Sequence, residues 1–220
     1  MQPTETFFSG FALNDLWFLG EAALRTLWIS LLAISCGSMI GTAFGWVLSV
    51  SRIGGGFILA PVLDIFRSVP LIIQLVLFYN FAPMIGLRLD PFGAGLIVLM
   101  VYTSANVAYV ARGGIEAVSQ SMRRAARSLG MTYWQDMRYV VWPIGLRAVF
   151  PAWVGVALGV MKDSALVSVL GYIELLKASQ ILITRTQETI LILAIAGAFY
   201  FALSYPISLY ASHLEERWSQ

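Results

Sequence analysis

Five apolar stretches divide this 220-residue chain: Thr26–Val50, Phe57–Phe81, Phe92–Ala111, Val140–Val160 and Ile190–Ser212. A hydrocarbon core of about 30 Å takes about 20 residues of helix to cross, so each stretch is about one crossing long. The connections use up the remainder and leave no room for a soluble domain. Composition agrees: 59% of residues are hydrophobic and 12% charged. Soluble domains run at about 45–50% apolar and about 25% charged. The chain therefore reads as an all-α integral membrane protein, one domain over residues 1–220, whose solvent is membrane lipid. A cytosolic globule and a disordered chain are excluded, and the net charge of +2 is too small for a nucleic-acid partner.

Within the first stretch Gly37, Gly41 and Gly45 recur every four residues, on one helix face. That spacing lets another span approach closely, although glycines are also simply tolerated in membrane helices. The second stretch is interrupted by Pro61, Asp64, Arg67 and Pro70. The fourth contains Pro143, Arg147 and Pro151 and reads as a broken, partly wet segment. With five spans the termini fall on opposite sides. One side collects Arg52, Arg112, Arg123, Arg124, Arg127, Arg138, Arg147 and Arg217; the other collects Arg25, Arg88, Lys177 and Arg185. The positive-inside rule puts the arginine-rich side and the C-terminus in the cytoplasm and the N-terminus outside. Met1–Gly20 holds Glu5 and Asp15 but no Lys or Arg, unlike a signal peptide, so the N-terminus is expected to be retained.

The longest polar connection, Arg112–Trp142, lies between the third and fourth spans. Ala125, Ala126, Leu129, Trp134, Met137, Val140 and Val141 supply helix-period apolar positions, interrupted by Gly130. Helix, glycine turn, helix is the economical reading, with Thr132 as N-cap of the second helix. A basic, partly apolar helical pair on the cytoplasmic side suits docking of a partner; a solvated loop that only sets topology is the competing reading.

Catalytic chemistry is missing. No GxxxxGK[ST] phosphate loop occurs, and the only lysines are Lys162 and Lys177. One histidine (His213) and one cysteine (Cys36) make neither a metal site nor a nucleophilic triad, and the chain reads as no enzyme. The unusual chemistry is polar groups at membrane depth, which are costly and either paired or functional. Asp64 and Arg67 are three apart and share a face. Lys162 and Asp163 are adjacent, point in different directions and each need a partner elsewhere. Gln74, Asn80, Asn106 and Ser164 add uncharged groups. Arg67, Gln74, Lys162, Asp163 and Ser164 are the candidates for a translocation path, weighed against pairing at helix ends.

Several segments, in order, resemble the membrane subunits of bacterial ATP-driven (ABC) importers for polar amino acids, the histidine and glutamine permease type. Phe66–Gln74 (FRSVPLIIQ) looks like F-R-G-T-P-L-L-V-Q. Arg112-Gly113-Gly114-Ile115 looks like the R-G-G-I that closes a third span. Arg124–Gly130 (RAARSLG) is similar to the E-A-A-x-x-L-G cytoplasmic loop. Val140–Pro143 with Leu146, Arg147 and Pro151 resembles V-I-L-P-Q-A-L-R-x-x-x-P, and Lys162–Ser168 (KDSALVS) resembles K-D-[ST]-[SA]-L-V-S, continuing into Gly171–Leu176. Six such matches in register cover nearly the whole chain. The resemblance implies the type I importer permease fold in the bacterial inner membrane. It implies two separate ATPase subunits that use ATP, no cofactor on this chain, an external or periplasmic solute-binding protein, and a second permease subunit. It makes Arg123, Arg124, Ala125, Ala126, Leu129 and Gly130 the coupling loop seated on the ATPase. The solute would be a polar amino acid, with basic amino acids and opines in the range.

The sequence departs from that pattern at Arg124, where relatives carry Glu, at Ser121-Met122 in place of Gly-Gln, at Ser68-Val69 in place of Gly-Thr, and at Gly155 in place of Asn. An arginine has no acceptor, so it cannot reproduce a glutamate's contact. A heterodimer whose other permease keeps the glutamate is therefore favoured over a homodimer. The alternative function, a stand-alone ion-coupled carrier, calls for an internal repeat, and none is visible.

Overall fold

The computed structural model describes residues 10–219, and part of the N-terminal segment expected to be retained, Met1–Ser9, lies outside the described residues. Helix α1 (Leu13–Val50) starts well ahead of the apolar stretch, because Asp15 Oδ2 accepts the Ala12 N–H at 2.8 Å and closes the first turn. It ends at Ser51, whose hydroxyl accepts from Gly54 N–H at 2.9 Å. A π-helical segment, Arg52–Leu59, runs into α2 (Ala60–Ser68). Pro70 then breaks the chain, and α3 (Leu71–Phe81) leaves at 104°. The second apolar stretch is thus a bent pair.

Asp90 accepts from Gly93 N–H and Pro91 occupies the first turn of α4 (Pro91–Ala117), the combination that starts a helix well. A short helical pair follows, α5 (Gln120–Ser128) and α6 (Tyr133–Asp136), and then a π-helical turn, Met137–Val141. Helix α7 (Trp142–Asp163) corrects the expected broken span: it runs on through Pro151. Pro151 has no N–H for the Arg147 carbonyl, and both residues are exposed. A 3-10 segment, Ser164–Leu170, ends on Gly171 at φ 96. Helices α8 (Leu175–Thr186) and α9 (Thr189–Ser219) complete the chain.

Helix α1 packs along α4, α4 against α7, and α8 against α1 and α9. The main core gathers Ile29, Leu75, Leu99, Val160 and Val167, and a second one joins Leu19, Leu175, Leu182 and Ile192. The α1–α4 seam is set by Gly37, Gly41 and Gly45, where an added Cβ would lie 2.6–2.7 Å from Thr103, the Ser104 carbonyl and the Ala108 carbonyl.

Candidate functional site

A polar stripe runs along α4. Tyr102, Asn106 and Tyr109 are four and three residues apart and share a face. Tyr109 Oη donates to Asp64 Oδ1 at 2.7 Å, and the Arg67 guanidinium sits 4.1 Å from the centre of the Tyr109 ring. Arg67 also reaches Asp64 at 3.5 Å, one turn along α2. Both charged side chains are well exposed, and such a pair contributes at most about 1 kcal/mol of stability. At the other end of the stripe, Tyr102 is within electrostatic reach of Asp163 and Arg67. Asp163 is partly buried and Lys162 exposed at the end of α7, and neither makes an ion pair among the described residues. The part played by Tyr102 and Tyr109 is not legible in the sequence, because tyrosines among apolar residues carry no signal until the fold shows what they face.

Two expected path residues are placed otherwise. Ser164 is fully buried and its hydroxyl donates to the Met161 carbonyl at 2.7 Å. Gln74 Nε2 donates to the carbonyls of Phe66 at 2.8 Å and Val69 at 2.7 Å. Pro70 has no N–H for the Phe66 carbonyl, and Gln74 supplies the donor, so it closes the bend between α2 and α3. Gln74→Leu should therefore lower stability by about 1–2 kcal/mol, read as a lower melting temperature. An unchanged melt would leave the bend independent of this amide.

The second region is the α5–α6 pair. Ser119 caps α5, whose end turns at Gly130 (φ 81) with Met131 N–H donating to the Ala126 carbonyl, a backbone reversal that glycine makes without strain. Thr132 and Gln135 form a reciprocal capping box at α6. Arg123 is not an outward charge: its Nε donates at 3.0 Å to Oδ2 of Asp136, which is fully buried. The outward cations are Arg124 and Arg127, beside Ala125 and an 81% exposed Leu129, while Ala126 packs inward. Among the described residues the Arg124 guanidinium donates to Gln120 Oε1 at 3.3 Å and makes no ion pair. Trp134 stacks on Trp46 of α1 with ring centres 5.7 Å apart, and Trp46 Nε1 donates to Tyr133 Oη at 3.1 Å. The pair is thereby clamped to the first long helix.

Residues 33–220 match the pattern of a family described as the inner membrane component of binding-protein-dependent transport systems. The chain belongs to that family. The permease is 30% identical over 203 residues to the glutamine transport system permease protein GlnP of Escherichia coli K12, covering 90% of this chain and 91% of the relative. It is 33% identical over 154 residues to the probable glutamine ABC transporter permease protein GlnM of Bacillus subtilis 168, covering 70% and 71%. A crystal structure of an amino acid ABC transporter with histidines superposes with a TM-score of 0.83 at 31% identity, covering 91% of this chain and 94% of that one. The MetNI methionine ABC transporter, in an inward-facing conformation, also gives 0.83, at 19% identity over 96% and 100% of the two chains, and bears on the fold alone. The architecture is that of the type I ABC importer permease.

The permease also carries a buried polar knot at Glu174. Its carboxylate is fully buried and accepts from the N–H groups of Leu176 (2.9 Å) and Lys177 (2.8 Å), from Tyr200 Oη (3.2 Å) and from Thr26 Oγ1 (3.4 Å). Glu174 thus caps α8 while tying it to α1 and α9. Near the other end of α8, Arg185 pairs with the buried Asp15 of α1. The sequence signal for α8 was present as Leu175, Ala178, Leu182 and Thr186 at helical spacing behind an acidic cap, but twelve residues are too few to span a membrane.

Proposed function

We propose that residues 1–220 act as a single permease domain of an ATP-driven importer that moves a polar amino acid into the cytoplasm. Two separate ATPases power it and an external solute-binding protein delivers the solute. The observation that carries the coupling part is the α5–α6 pair: a capped, glycine-turned unit with Ala125, Arg124 and Leu129 facing outward and its rear clamped to α1. No nucleotide loop exists in the chain, so the energy source lies on another subunit. An amino-acid cargo is supported by the glutamine and amino-acid transport of the relatives and by the stripe of Arg67, Asp64, Tyr109 and Tyr102 leading to Lys162 and Asp163, which offers both signs of charge to a zwitterion.

In this reading α5–α6 faces the cytoplasm, the N-terminus lies outside and the C-terminus inside. A cysteine placed at Thr132 is expected to react with an impermeant reagent only after the membrane is opened; reaction in intact cells would overturn the orientation. Arg124 supports a heterodimer in which a second permease supplies the acceptor that an arginine lacks. Co-expression with the ATPase and binding protein, without a second permease, should yield no solute-stimulated ATP hydrolysis. Stimulated hydrolysis from that combination would establish a homodimer instead. Uptake by cells lacking this chain, across a panel of neutral and basic amino acids and opines, names the solute.

A further inference from the structure

The C-terminal third of α1, the C-terminal end of α4 and the first half of α7 enclose an apolar pocket of about 1020 Å³. Five of the seven tryptophans line it: Trp46, Trp134, Trp142, Trp153 and Trp218. The pocket is separate from the polar stripe. Val107, Val110, Ala111 and Gly114 face it, and at about 100° per residue the centre of their face lies roughly 120° around α4 from the centre of the face carrying Tyr102, Asn106 and Tyr109. A polar solute gains nothing there, whereas a hydrocarbon chain does.

The rim has a different chemistry from the floor. Arg138 is the one cation among the lining residues; it is exposed, has no carboxylate partner among the described residues, and lies 5.9 Å from the Tyr139 ring centre. Two indole N–H groups are taken, Trp46 by Tyr133 and Trp153 by Ser38 Oγ at 2.9 Å. Those of the partly exposed Trp134, Trp142 and Trp218 have no acceptor among the described residues. Among the described residues no acidic side chain lines the pocket. An apolar floor under a rim of donors and one positive charge complements a molecule with a long hydrocarbon tail and an anionic, acceptor-rich head. Tryptophan at the water boundary and a basic group between helices are the general features of such contacts.

We propose that this pocket is a binding site for an anionic phospholipid, with acyl chain among the tryptophans and phosphate on Arg138. The inference rests on the proposed cytoplasmic placement of α5–α6, which makes the lipid one of the inner leaflet. Because Trp134 both lines the pocket and stacks on Trp46, a bound chain braces the clamp between α6 and α1.

The test uses the assembled transporter in phosphatidylcholine vesicles, titrated with phosphatidylglycerol carrying brominated acyl chains, which quench indole fluorescence on contact. Saturable quenching at low mole fraction is expected, with half-quenching moved about tenfold higher by Arg138→Gln, the effect of one charge-assisted contact. Ala43→Phe, which fills the pocket from an exposed position on α1, should remove the saturable part. Equal quenching by brominated phosphatidylcholine, or an unshifted Arg138→Gln curve, would overturn the site. So would a disulfide between Ala43→Cys and another subunit, which would show a protein covering the pocket. Solute-stimulated ATP hydrolysis on the same vesicles reports separately: its absence with quenching intact defeats the transport reading and leaves the lipid site standing.

Discussion

Gly41→Leu should abolish recovery of folded, assembled permease. A Cβ at position 41 would sit 2.7 Å from both the Ser104 carbonyl oxygen and the Val107 Cβ, and the three further carbons of leucine have nowhere to go. The obstacle is backbone, which no rotamer change relieves. Helix α1 would have to lift off α4 and open the contacts at Gly37 and Gly45 with it. Overpacking costs about 1–3 kcal/mol where side chains can adjust, and the cost here should lie at or beyond the upper end. Gly41→Ala should already lower the melting temperature, whereas Gly159→Ala, with nothing within 4 Å of the added carbon, should be silent. The readout is the monodisperse fraction after extraction together with solute-stimulated ATP hydrolysis. Wild-type behaviour of Gly41→Leu would mean that α1 and α4 are not in contact at this seam.

Glu174→Leu should be nearly as damaging, for the opposite reason. The leucine fits by volume but leaves Leu176 N–H, Lys177 N–H and Tyr200 Oη without acceptors inside the protein. Each orphaned buried donor costs about 1–3 kcal/mol, and losing part of this set should cost about 3 kcal/mol overall. Tyr200→Phe removes one donor and keeps the carboxylate, so its effect should be well under half of that. Burial pushes the Glu174 carboxyl above the ordinary glutamate range, outweighing the donors that favour its charged form. A carboxyl raised in the folded state binds its proton more tightly there than in the unfolded chain. Its contribution is complete below the ordinary glutamate pKa and fades as pH rises from there through the raised value. The melting temperature of the wild type should fall over that window relative to Glu174→Gln, which cannot titrate. Parallel pH curves for the two proteins would remove Glu174 as the source.

Much of this architecture is legible in the chain because lipid simplifies the problem: long apolar stretches become helices, and glycine at every fourth position becomes a seam. The α5–Gly130–α6 unit was legible for a local reason, since caps and a left-handed turn are written in neighbouring residues. What escaped depends on tertiary placement. Gln74 reads as a polar group in search of a path until Pro70 is seen to free the Phe66 carbonyl beside it. Arg123 reads as a docking charge until Asp136, thirteen residues on, folds back to bind it. The Glu174 knot joins residues 148 apart in sequence, and no periodicity announces a contact of that range.

Helix α1 holds 38 residues without a proline, and its two tethers lie far apart along it: Thr26 on the Glu174 knot, Trp46 on the α6 clamp. Twenty residues of α-helix separate them, about 30 Å, close to the thickness of the hydrocarbon layer. The first span is therefore a stiff lever with one arm fastened to α6 and the other to α8. A tilt of roughly 5° about the midpoint of such a rod carries each end about 1.3 Å in opposite directions. Under the proposed coupling role, a push received at the α5–α6 pair would reach the α8 end of this helix in a single mechanical step.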